Sequence, residues 1–254
     1  MAGPETQSRP SNVRRALLWQ SLIVAPAFAG LVGLGVWQMQ RLAWKEGVIA
    51  RIEARVHAAP VAPPPEAEWP SLAPDEYDYR HVRLSGVFDH GKEALVFRGS
   101  ADGKAGAGGP GYLVLTPLRL ADGATVIVNR GFVPLARRDA ATRAEGQVAG
   151  VVSLTGLMRP PEPRNAFTPP DDPARGQWYT RDPAAIAAAL GLSRVAPFSV
   201  DADASANAGA GPAGGATVLS TPNNHLSYAL TWFGLAATLA GVFGVYAWRR
   251  LKGR

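Results

Sequence analysis

Two long apolar runs lie near the ends of this chain, at residues 17–37 and 226–248. Each has about the 20 residues that an α-helix needs to cross a lipid bilayer. The segment between them is largely polar and is long enough for one compact domain. The pattern predicts two transmembrane helices, residues 16–38 and 225–248, on either side of an extramembrane domain. It excludes most classes of soluble enzyme.

The helical pattern continues beyond the first run. Apolar residues recur there at helical spacing between charged residues, at Trp44, Val48, Ile49, Ile52 and Val56. The prolines that follow, from Pro60 to Pro65, end such a helix and begin an extended linker. We therefore predict a helical stalk over residues 39–60 that packs against the domain.

The first run has a second interpretation. The tripeptide Ala27-Phe28-Ala29 resembles a signal-peptidase site, because an arginine pair and an apolar stretch precede it. The apolar run continues past Gly30, however, and is longer than a typical signal core. We predict that the run is retained as an anchor, and a mature N-terminus at Gly30 would refute this.

The middle of the chain, residues 61–201, shows the alternation of polar and apolar residues that half-buried strands have. Asp122 and Gly123 mark a hairpin turn. The predicted strands are residues 81–88, 94–97, 112–120, 125–128, 151–157, 195–200 and 217–219. A short alanine-rich helix is predicted over residues 183–190, with Asp182 as its N-cap and Gly191 after its end.

These elements predict an α+β membrane protein. Its two transmembrane helices flank a mostly antiparallel, β-rich extracytoplasmic domain with one or two helices. Residues 202–216 are rich in alanine and glycine and are interpreted as a flexible connector. Residues 217–224 are predicted to form the final strand and to lead into the second transmembrane helix.

The excess positive charge lies at the two ends of the chain. The formal net charge is +6. Residues 1–15 and residues 249–254 account for all of it, so the segment between them is formally neutral. Because cations beside membrane helices mark the cytoplasmic side, both tails are predicted to be cytoplasmic and the central domain periplasmic. The neutral domain argues against nucleic acid as a partner.

Two local motifs have structural interpretations. Residues 106–111 match the dinucleotide fingerprint G-x-G-x-x-G, but a strand follows and Pro110 lies inside the loop. Since that fingerprint must lead into a helix, a glycine-rich turn is favoured. In residues 129–134, at the end of a predicted strand, we interpret Gly131 as a turn residue and Arg130 as the partner of a carboxylate.

Enzyme and metal chemistry have little support. The chain has no cysteine, which excludes disulfides, zinc–thiolate sites and thiol nucleophiles, and it lacks a G-x-S-x-G elbow. Ordinary structural roles are the simplest interpretation of His57, His81 and His90. Asp171 and Asp172 could bind Ca²⁺, but a solvated turn is the simpler interpretation.

His225 is the strongest candidate for a functional residue. Thr221 and Pro222 suit the N-cap and the first helical position, which places His225 in the first turn of the second membrane helix. Tyr228 and Trp232 share its helical face. The helix dipole favours a neutral imidazole there, which could bind haem iron between aromatic rings. The residues alone leave open an interfacial histidine among belt aromatics.

Four stretches together resemble the Surfeit locus protein 1 (Shy1-like) family. They are GVWQMQRLAWK at residues 35–45, YLVLTPL at 112–118, VNRGFVP at 128–134 and NNHLSYALTWF at 223–233. They follow the family's order, and the resemblance extends from about residue 16 to residue 248, apart from residues 202–216.

The resemblance implies an assembly factor for haem–copper cytochrome c oxidase rather than an enzyme. Members of the family help haem a to reach the catalytic subunit. The resemblance implies that His225 binds the haem a iron and that Trp37 contributes to the same site, beside which Tyr228 and Trp232 lie by helical spacing. The implied partners are the oxidase catalytic subunit and, as a further candidate, haem a synthase.

The expected location is the bacterial inner membrane, because residues 1–15 lack the long Arg- and Ser-rich stretch of a mitochondrial transit peptide. Two alternatives to the leading function remain. One is a scaffold that holds oxidase subunits without binding a cofactor. The other is a membrane-anchored periplasmic enzyme acting through His81 or His90, which predicts a polar pocket with a perturbed histidine.

Overall fold

The computed structural model describes residues 10–99, 109–204, 211–215 and 223–253. The chain divides into two compact units. The first is formed by residues before Ile52 together with those after Ser220, and it contains two long helices. The second is the segment between them and contains a β-barrel.

The long helices are α1, Pro10–Val56, and α4, His225–Leu251. α1 runs without a break through the first apolar run and through most of the segment that was predicted to be a stalk, so the predicted continuation of the helix is confirmed. Both helices are long and apolar enough to cross a membrane, and their apolar windows are almost wholly exposed. That exposure distinguishes them from the core helices of a soluble protein.

The two long helices pack in antiparallel directions. Near one end of the pair, the Gln20 side-chain amide donates a hydrogen bond to the Tyr246 hydroxyl at 3.1 Å. Small side chains lie in the interface, since Ala229 and Ala236 of α4 are buried. Without a hydrophobic driving force inside a membrane, such close packing and polar bonds are what join helices.

Other small residues also recur along the two helices at a spacing that would allow close packing: Ala29 and Gly33 of α1, and Ala237 and Gly241 of α4. A Cβ atom placed at Gly33 or Gly241 would meet no atom within 4 Å, so these positions face outward. Spacing alone therefore does not show which row of small residues forms the contact.

The described residues of the barrel unit form six strands and two short helices. The strands are β1 His81–Phe88, β2 Ala94–Arg98, β3 Gly111–Leu120, β4 Thr125–Pro134, β5 Val151–Arg159 and β6 Val195–Ala202. The helices are α2 Pro74–Tyr77 and α3 Pro183–Leu190, and 3₁₀ turns cover Glu66–Ser71, His90–Lys92, Leu135–Arg137, Ala140–Gly146 and Pro173–Arg175. As predicted, the Asp182 side chain caps α3 and Gly191 ends it in the left-handed region.

The strands close into a barrel in the order β1-β5-β6-β4-β3, and β3 then pairs back to β1. β2 extends the sheet beyond β3. At the closing pair, Gly86 of β1 faces Leu120 of β3, and a Cβ atom at Gly86 would collide with the Arg119 carbonyl. A glycine in a strand interior permits this close backbone approach.

The sheet is mixed: most of its strand pairs are antiparallel, as predicted, and one pair is parallel. β4 and β6 run parallel, with Val128 opposite Val200, whereas the other strand pairs are antiparallel. A parallel pair requires a long crossover, and here β5, an extended loop and α3 supply it. Local alternation predicts each strand but not the direction of its neighbour.

Two apolar cores stabilise the barrel unit. One fills the barrel around Phe198, whose ring packs against those of Trp69 and Tyr77. The other lies under α3, where Ile186 and Trp178 pack against the outer side of β2, β3 and β4. The last turn of α1 is joined to this unit, because the Arg55 guanidinium donates to the backbone carbonyl of Asp78 at 2.8 Å.

The alanine- and glycine-rich stretch is partly built into the barrel. Ala202 is the last residue of β6. Ala213 forms a β-bridge with Phe132, and the Gly215 amide donates to the Ala202 carbonyl at 3.0 Å. The described residues at the start and near the end of the stretch are therefore bonded to the barrel, against the prediction of a flexible connector. Residues 205–210 and 216, and the strand predicted at residues 217–219, lie outside the described residues.

Candidate functional site

His225 is the first residue of α4, and Asn224 is its N-cap residue. The predicted position of His225 in the first turn is confirmed. The predicted N-cap at Thr221 is too early in the chain, and Thr221 and Pro222 lie outside the described residues. The Asn224 side chain makes no capping hydrogen bond, so it does not satisfy the amide donors of the first turn.

The His225 ring is held by a residue of the other long helix. Its Nδ1 atom lies 2.7 Å from the Oε1 atom of Gln38. Gln38 is only 9% exposed, so its amide is fixed between α1 and α4. Together with the Gln20–Tyr246 bond, this bond joins the two helices at opposite ends of their apolar runs.

A second contact lies one turn away from Gln38 along α1. A Cβ atom placed at Gly35 would lie 2.5 Å from Cε1 of the Phe233 ring. The missing side chain of Gly35 therefore lets the Phe233 ring lie directly against the α1 backbone. Gly35 and Gln38 belong to the first of the two terminal sequence stretches, and Phe233 and His225 belong to the second, so the two stretches meet in space.

The aromatic residues predicted around His225 are largely exposed. Trp37 is 53% exposed and Tyr228 is 56% exposed, while Trp232 is half-buried. Among the described residues, the side chain that hydrogen-bonds the His225 ring is that of Gln38 and not its neighbour Trp37. One turn further along α1, the Arg41 guanidinium lies 3.9 Å above the Trp44 ring.

An unsatisfied polar atom lies close to His225 in the chain. The Asn223 Oδ1 atom is buried, and no hydrogen-bond donor reaches it within the described part of the chain. A buried acceptor without a donor costs free energy. Water or a bound group can satisfy such an atom.

Gln38 lies in the GVWQMQRLAWK stretch at residues 35–45, but no local pattern there assigns it a role. The available signal was an amide in an otherwise apolar helix, because polar side chains in such helices usually bond to a neighbouring helix. Its partner could not be found from the sequence, since His225 is 187 residues away along the chain.

The two barrel histidines are both engaged through both ring nitrogens. His81 contacts the Ala58 carbonyl through Nδ1 at 2.9 Å and the Asp203 carboxylate through Nε2 at 3.0 Å. His90 contacts the Val148 carbonyl through Nε2 at 3.1 Å and the Arg130 guanidinium through Nδ1 at 3.3 Å. In this arrangement, neither ring offers a free nitrogen to a substrate.

The segment at residues 129–134 has a structural role, as predicted, although it lies within β4 rather than at the end of a shorter strand. Asn129 donates to Asp201 at 2.8 Å, and its Oδ1 atom accepts from the Gly131 amide. Gly131 has φ of 122° and packs directly against the Ala213 carbonyl. The Arg130 guanidinium lies 3.4 Å from a Glu93 carboxylate oxygen, which confirms its predicted carboxylate partner.

Glu93 lies in a buried cluster of charged side chains. Its other carboxylate oxygen lies 2.9 Å from the Arg143 guanidinium, which is almost completely buried. Burial lowers the pKa of Arg130, and the nearby Glu93 carboxylate opposes this shift. Two buried cations thus share one buried anion, which makes Glu93 essential to the balance of charge in this part of the barrel.

The aspartate pair at the 160–180 loop is also engaged. The Asp171 carboxylate binds the Arg164 guanidinium at 2.6 Å and accepts from the Tyr179 amide at 2.7 Å. Asp172 accepts from the Arg175 amide at the start of a 3₁₀ turn. Within the residues that the structure describes, no group of three or more His, Cys, Asp or Glu side chains could hold a metal ion.

The sequence comparisons cover the part of the chain that makes these contacts. The sequence model of the SURF1 family matches residues 25–237. Surfeit locus protein 1 of Mus musculus is 38% identical over 92% of this chain and 76% of its own length. The Homo sapiens protein of the same name is 38% identical over 87% of this chain and 74% of its own length.

A more distant organism gives the same result. A SURF1-like protein of Monosiga brevicollis is 38% identical over 94% of this chain and 91% of its own length. The family match includes Gly35, Gln38, His225 and Phe233, which form the two contacts between α1 and α4 described above. This chain belongs to the SURF1 family.

Proposed function

We propose that this chain is a membrane-anchored assembly factor for haem–copper cytochrome c oxidase. It binds haem a through His225 and aids its delivery to the oxidase catalytic subunit, and it catalyses no reaction itself. The observation that carries the proposal is the hydrogen bond between His225 Nδ1 and Gln38 Oε1. The family membership supports the assembly role, and the resemblance of the His225 segment supports the choice of haem a.

The residues around His225 are suited to a haem group. An imidazole that donates through Nδ1 keeps the lone pair of Nε2, which is the usual arrangement of an iron-ligating histidine. The exposed rings of Trp37 and Tyr228 offer apolar surface, and the uncapped amides at the start of α4 can receive anionic groups such as propionates. The orphan Asn223 Oδ1 atom can accept a hydrogen bond from a ligand. When bound, the haem supplies the iron as a coordination centre for the histidine.

A single protein ligand suits delivery. A group that has to be handed on should be held firmly in orientation but released by breaking one iron–nitrogen bond. In this proposal His225 provides that bond, and Trp37, Tyr228 and Trp232 line the site without coordinating iron. The partners are the oxidase catalytic subunit and, as a further candidate, haem a synthase.

The proposal includes two membrane crossings. At about 1.5 Å per residue, Gln20 and Gln38 are separated by about 27 Å along α1, close to the roughly 30 Å thickness of the hydrocarbon core. The two polar bonds that join α1 to α4 therefore suit the two edges of the membrane. Polar pairs at these depths are tolerated where water or headgroups are near.

The orientation follows from charge. The cations after α4, including Arg249 and Arg250 in its last turn, suit the cytoplasmic side. Both termini are then cytoplasmic, and the barrel and the His225 end of α4 lie on the opposite side. We propose the bacterial inner membrane with a periplasmic barrel. The relatives named above are eukaryotic, and in a mitochondrion the same orientation would put the barrel in the intermembrane space.

The test is to purify the full-length chain from cells that make haem a and to measure haem a and oxidase subunits per chain. Wild type is expected to carry haem a and to bring the catalytic subunit with it. The variant His225→Ala is expected to lose the haem. The control His57→Ala, an exposed histidine after α1, should keep it. Wild-type haem content in His225→Ala would remove His225 from the site.

A scaffold that holds oxidase subunits without cofactor is the second candidate, and one surface feature favours it. Phe167 is 94% exposed at the tip of an ordered loop. Its amide donates to Asn165 Oδ1 at 2.8 Å, and Arg164 braces the loop through Asp171. Aromatic residues, phenylalanine among them, are enriched at protein–protein interfaces. Subunits that co-purify with a haem-free wild type would support this candidate.

A further inference from the structure

We propose that Gln38 is a positioning residue that selects the tautomer of His225 and directs its Nε2 lone pair outward from the α1–α4 contact. The inference rests on the proposed function for its consequence in haem binding, but its structural content concerns the protein alone. Three features of the helix pair carry it: the bond itself, the chemistry of its two atoms and the packing that fixes them.

The bond is short and shielded. His225 Nδ1 and Gln38 Oε1 are 2.7 Å apart, within the range of a strong hydrogen bond. Gln38 is 9% exposed, and the neighbouring Ala229, one turn into α4, is completely buried. Water therefore has little access to compete for the Gln38 amide, and a bond in such surroundings is electrostatically stronger than in water.

The atoms decide which nitrogen carries the proton. An amide oxygen can only accept a hydrogen bond, so the Nδ1 atom must donate. A neutral imidazole has one N–H group, and Nε2 is therefore left as an acceptor. With the Gln38 amide oxygen toward the ring, the alternative tautomer would put two lone pairs face to face across 2.7 Å.

The packing of the helices fixes the distance between the Gln38 backbone and His225. Gly35 lies one turn before Gln38, and the Phe233 ring occupies the space that a side chain at position 35 would take. The Gly35–Phe233 and Gln38–His225 contacts are formed by the same faces of the two helices, so together they fix both the rotation of α1 and its register against α4. Interfaces packed in this way change between discrete arrangements rather than continuously.

The consequence follows from the behaviour of ligating histidines in general. A hydrogen-bond acceptor on the second ring nitrogen orients the ring and raises the basicity of the ligating nitrogen, and its loss costs about 10- to 100-fold in affinity. Gln38→Leu is therefore expected to weaken haem a binding by about 10- to 100-fold. Gln38→Glu keeps an acceptor oxygen at the same place and should restore most of the affinity.

The decisive experiment uses the haem-free, full-length protein with ¹⁵N-labelled histidine in lipid nanodiscs, at about pH 8, where an ordinary imidazole is neutral. The chain has four histidines, and the variant His225→Ala assigns the His225 signals. In wild type we expect the protonated nitrogen to be Nδ1. In Gln38→Leu the protonated fraction should move toward Nε2, and Gln38→Glu should return it to Nδ1.

The matched control is Gln40→Leu, because Gln40 is an exposed glutamine two residues further along α1. It should leave the tautomer unchanged. Circular dichroism of each variant confirms that the helices persist, since leucine suits an apolar helix at least as well as glutamine does. A wild-type ring protonated on Nε2, or a tautomer unaffected by Gln38→Leu, would overturn the inference.

The two proposals fail in different ways. If wild type binds no haem a, the proposed function is wrong, while the tautomer measurement still decides the role of Gln38. If wild type binds haem a and Gln38→Leu binds it with equal affinity, the haem site remains and the positioning role of Gln38 is wrong.

Discussion

The buried cluster around Glu93 allows a sharp test of the barrel. Glu93 is 7% exposed in its side chain, with its oxygens 3.4 Å from Arg130 and 2.9 Å from Arg143. Glu93→Gln keeps the size of the side chain but removes the negative charge between two buried cations. Removing one member of a buried ion pair costs about 3–5 kcal/mol, because the remaining charge is left uncompensated.

That free energy should be visible in thermal unfolding. For a domain of roughly 150–250 residues, each 1 kcal/mol lowers the midpoint by about 2–4 °C, so Glu93→Gln is expected to lower it by about 6–20 °C. Trp178, which is 3% exposed in the core under α3, provides a fluorescence signal for the full-length protein in detergent. The control is Glu145→Gln, an exposed carboxylate in the same region, with an expected change within about 0.5 kcal/mol.

The result that would refute this reasoning is a Glu93→Gln variant that unfolds within about 1 kcal/mol of wild type. It would mean that the two guanidinium groups are not held by the Glu93 charge. The short contact between Arg130 and the Gly146 carbonyl would then carry more of the stability of this cluster than its ion pairs do.

Three further predictions concern other parts of the molecule. Gly35→Leu should separate the helices by collision with Phe233 and reduce haem content at least tenfold, as measured by absorbance, whereas Gly33→Leu, with open space around it, should not. Burial raises the pKa of Asp78, so protonation of its carboxyl favours the folded state. The free energy of unfolding of wild type, measured by chemical denaturation relative to Asp78→Asn, should therefore fall as the pH rises from about 3 to about 7. The same pH dependence of this free energy in both proteins would contradict the prediction. Phe167→Ser should reduce co-purification of oxidase subunits without changing the midpoint of unfolding, and unchanged co-purification would exclude this residue as an anchor.

Local patterns were sufficient to predict most elements of the fold. The strand at residues 81–88 and the helix at residues 183–190 have the predicted bounds, because alternation and capping are properties of neighbouring residues. β4 was predicted too short, since Asn129, Arg130 and Gly131 look like the end of a strand. They continue it because buried partners on distant elements neutralise their polarity, and nothing in the local sequence shows those partners.

Only part of the candidate site could be predicted, because local sequence again does not show distant partners. His225 stood out in the sequence as a histidine at the start of an apolar helix. Gln38 did not, because its role depends on the register between two helices that are far apart in the chain. The parallel pairing of β4 with β6 is a third case. The direction of β6 depends on the long connection between the two strands, and no single segment of sequence shows it.

The central claim is that His225 Nε2 coordinates the haem a iron. Resonance Raman spectroscopy of the reduced, haem-a-loaded full-length protein tests it directly, with natural-abundance and ¹⁵N-labelled histidine compared. The account predicts an iron–histidine stretching band that shifts on labelling and is lost in His225→Ala. The same band with the same isotope shift in His225→Ala would contradict the account, because another histidine would then be the ligand.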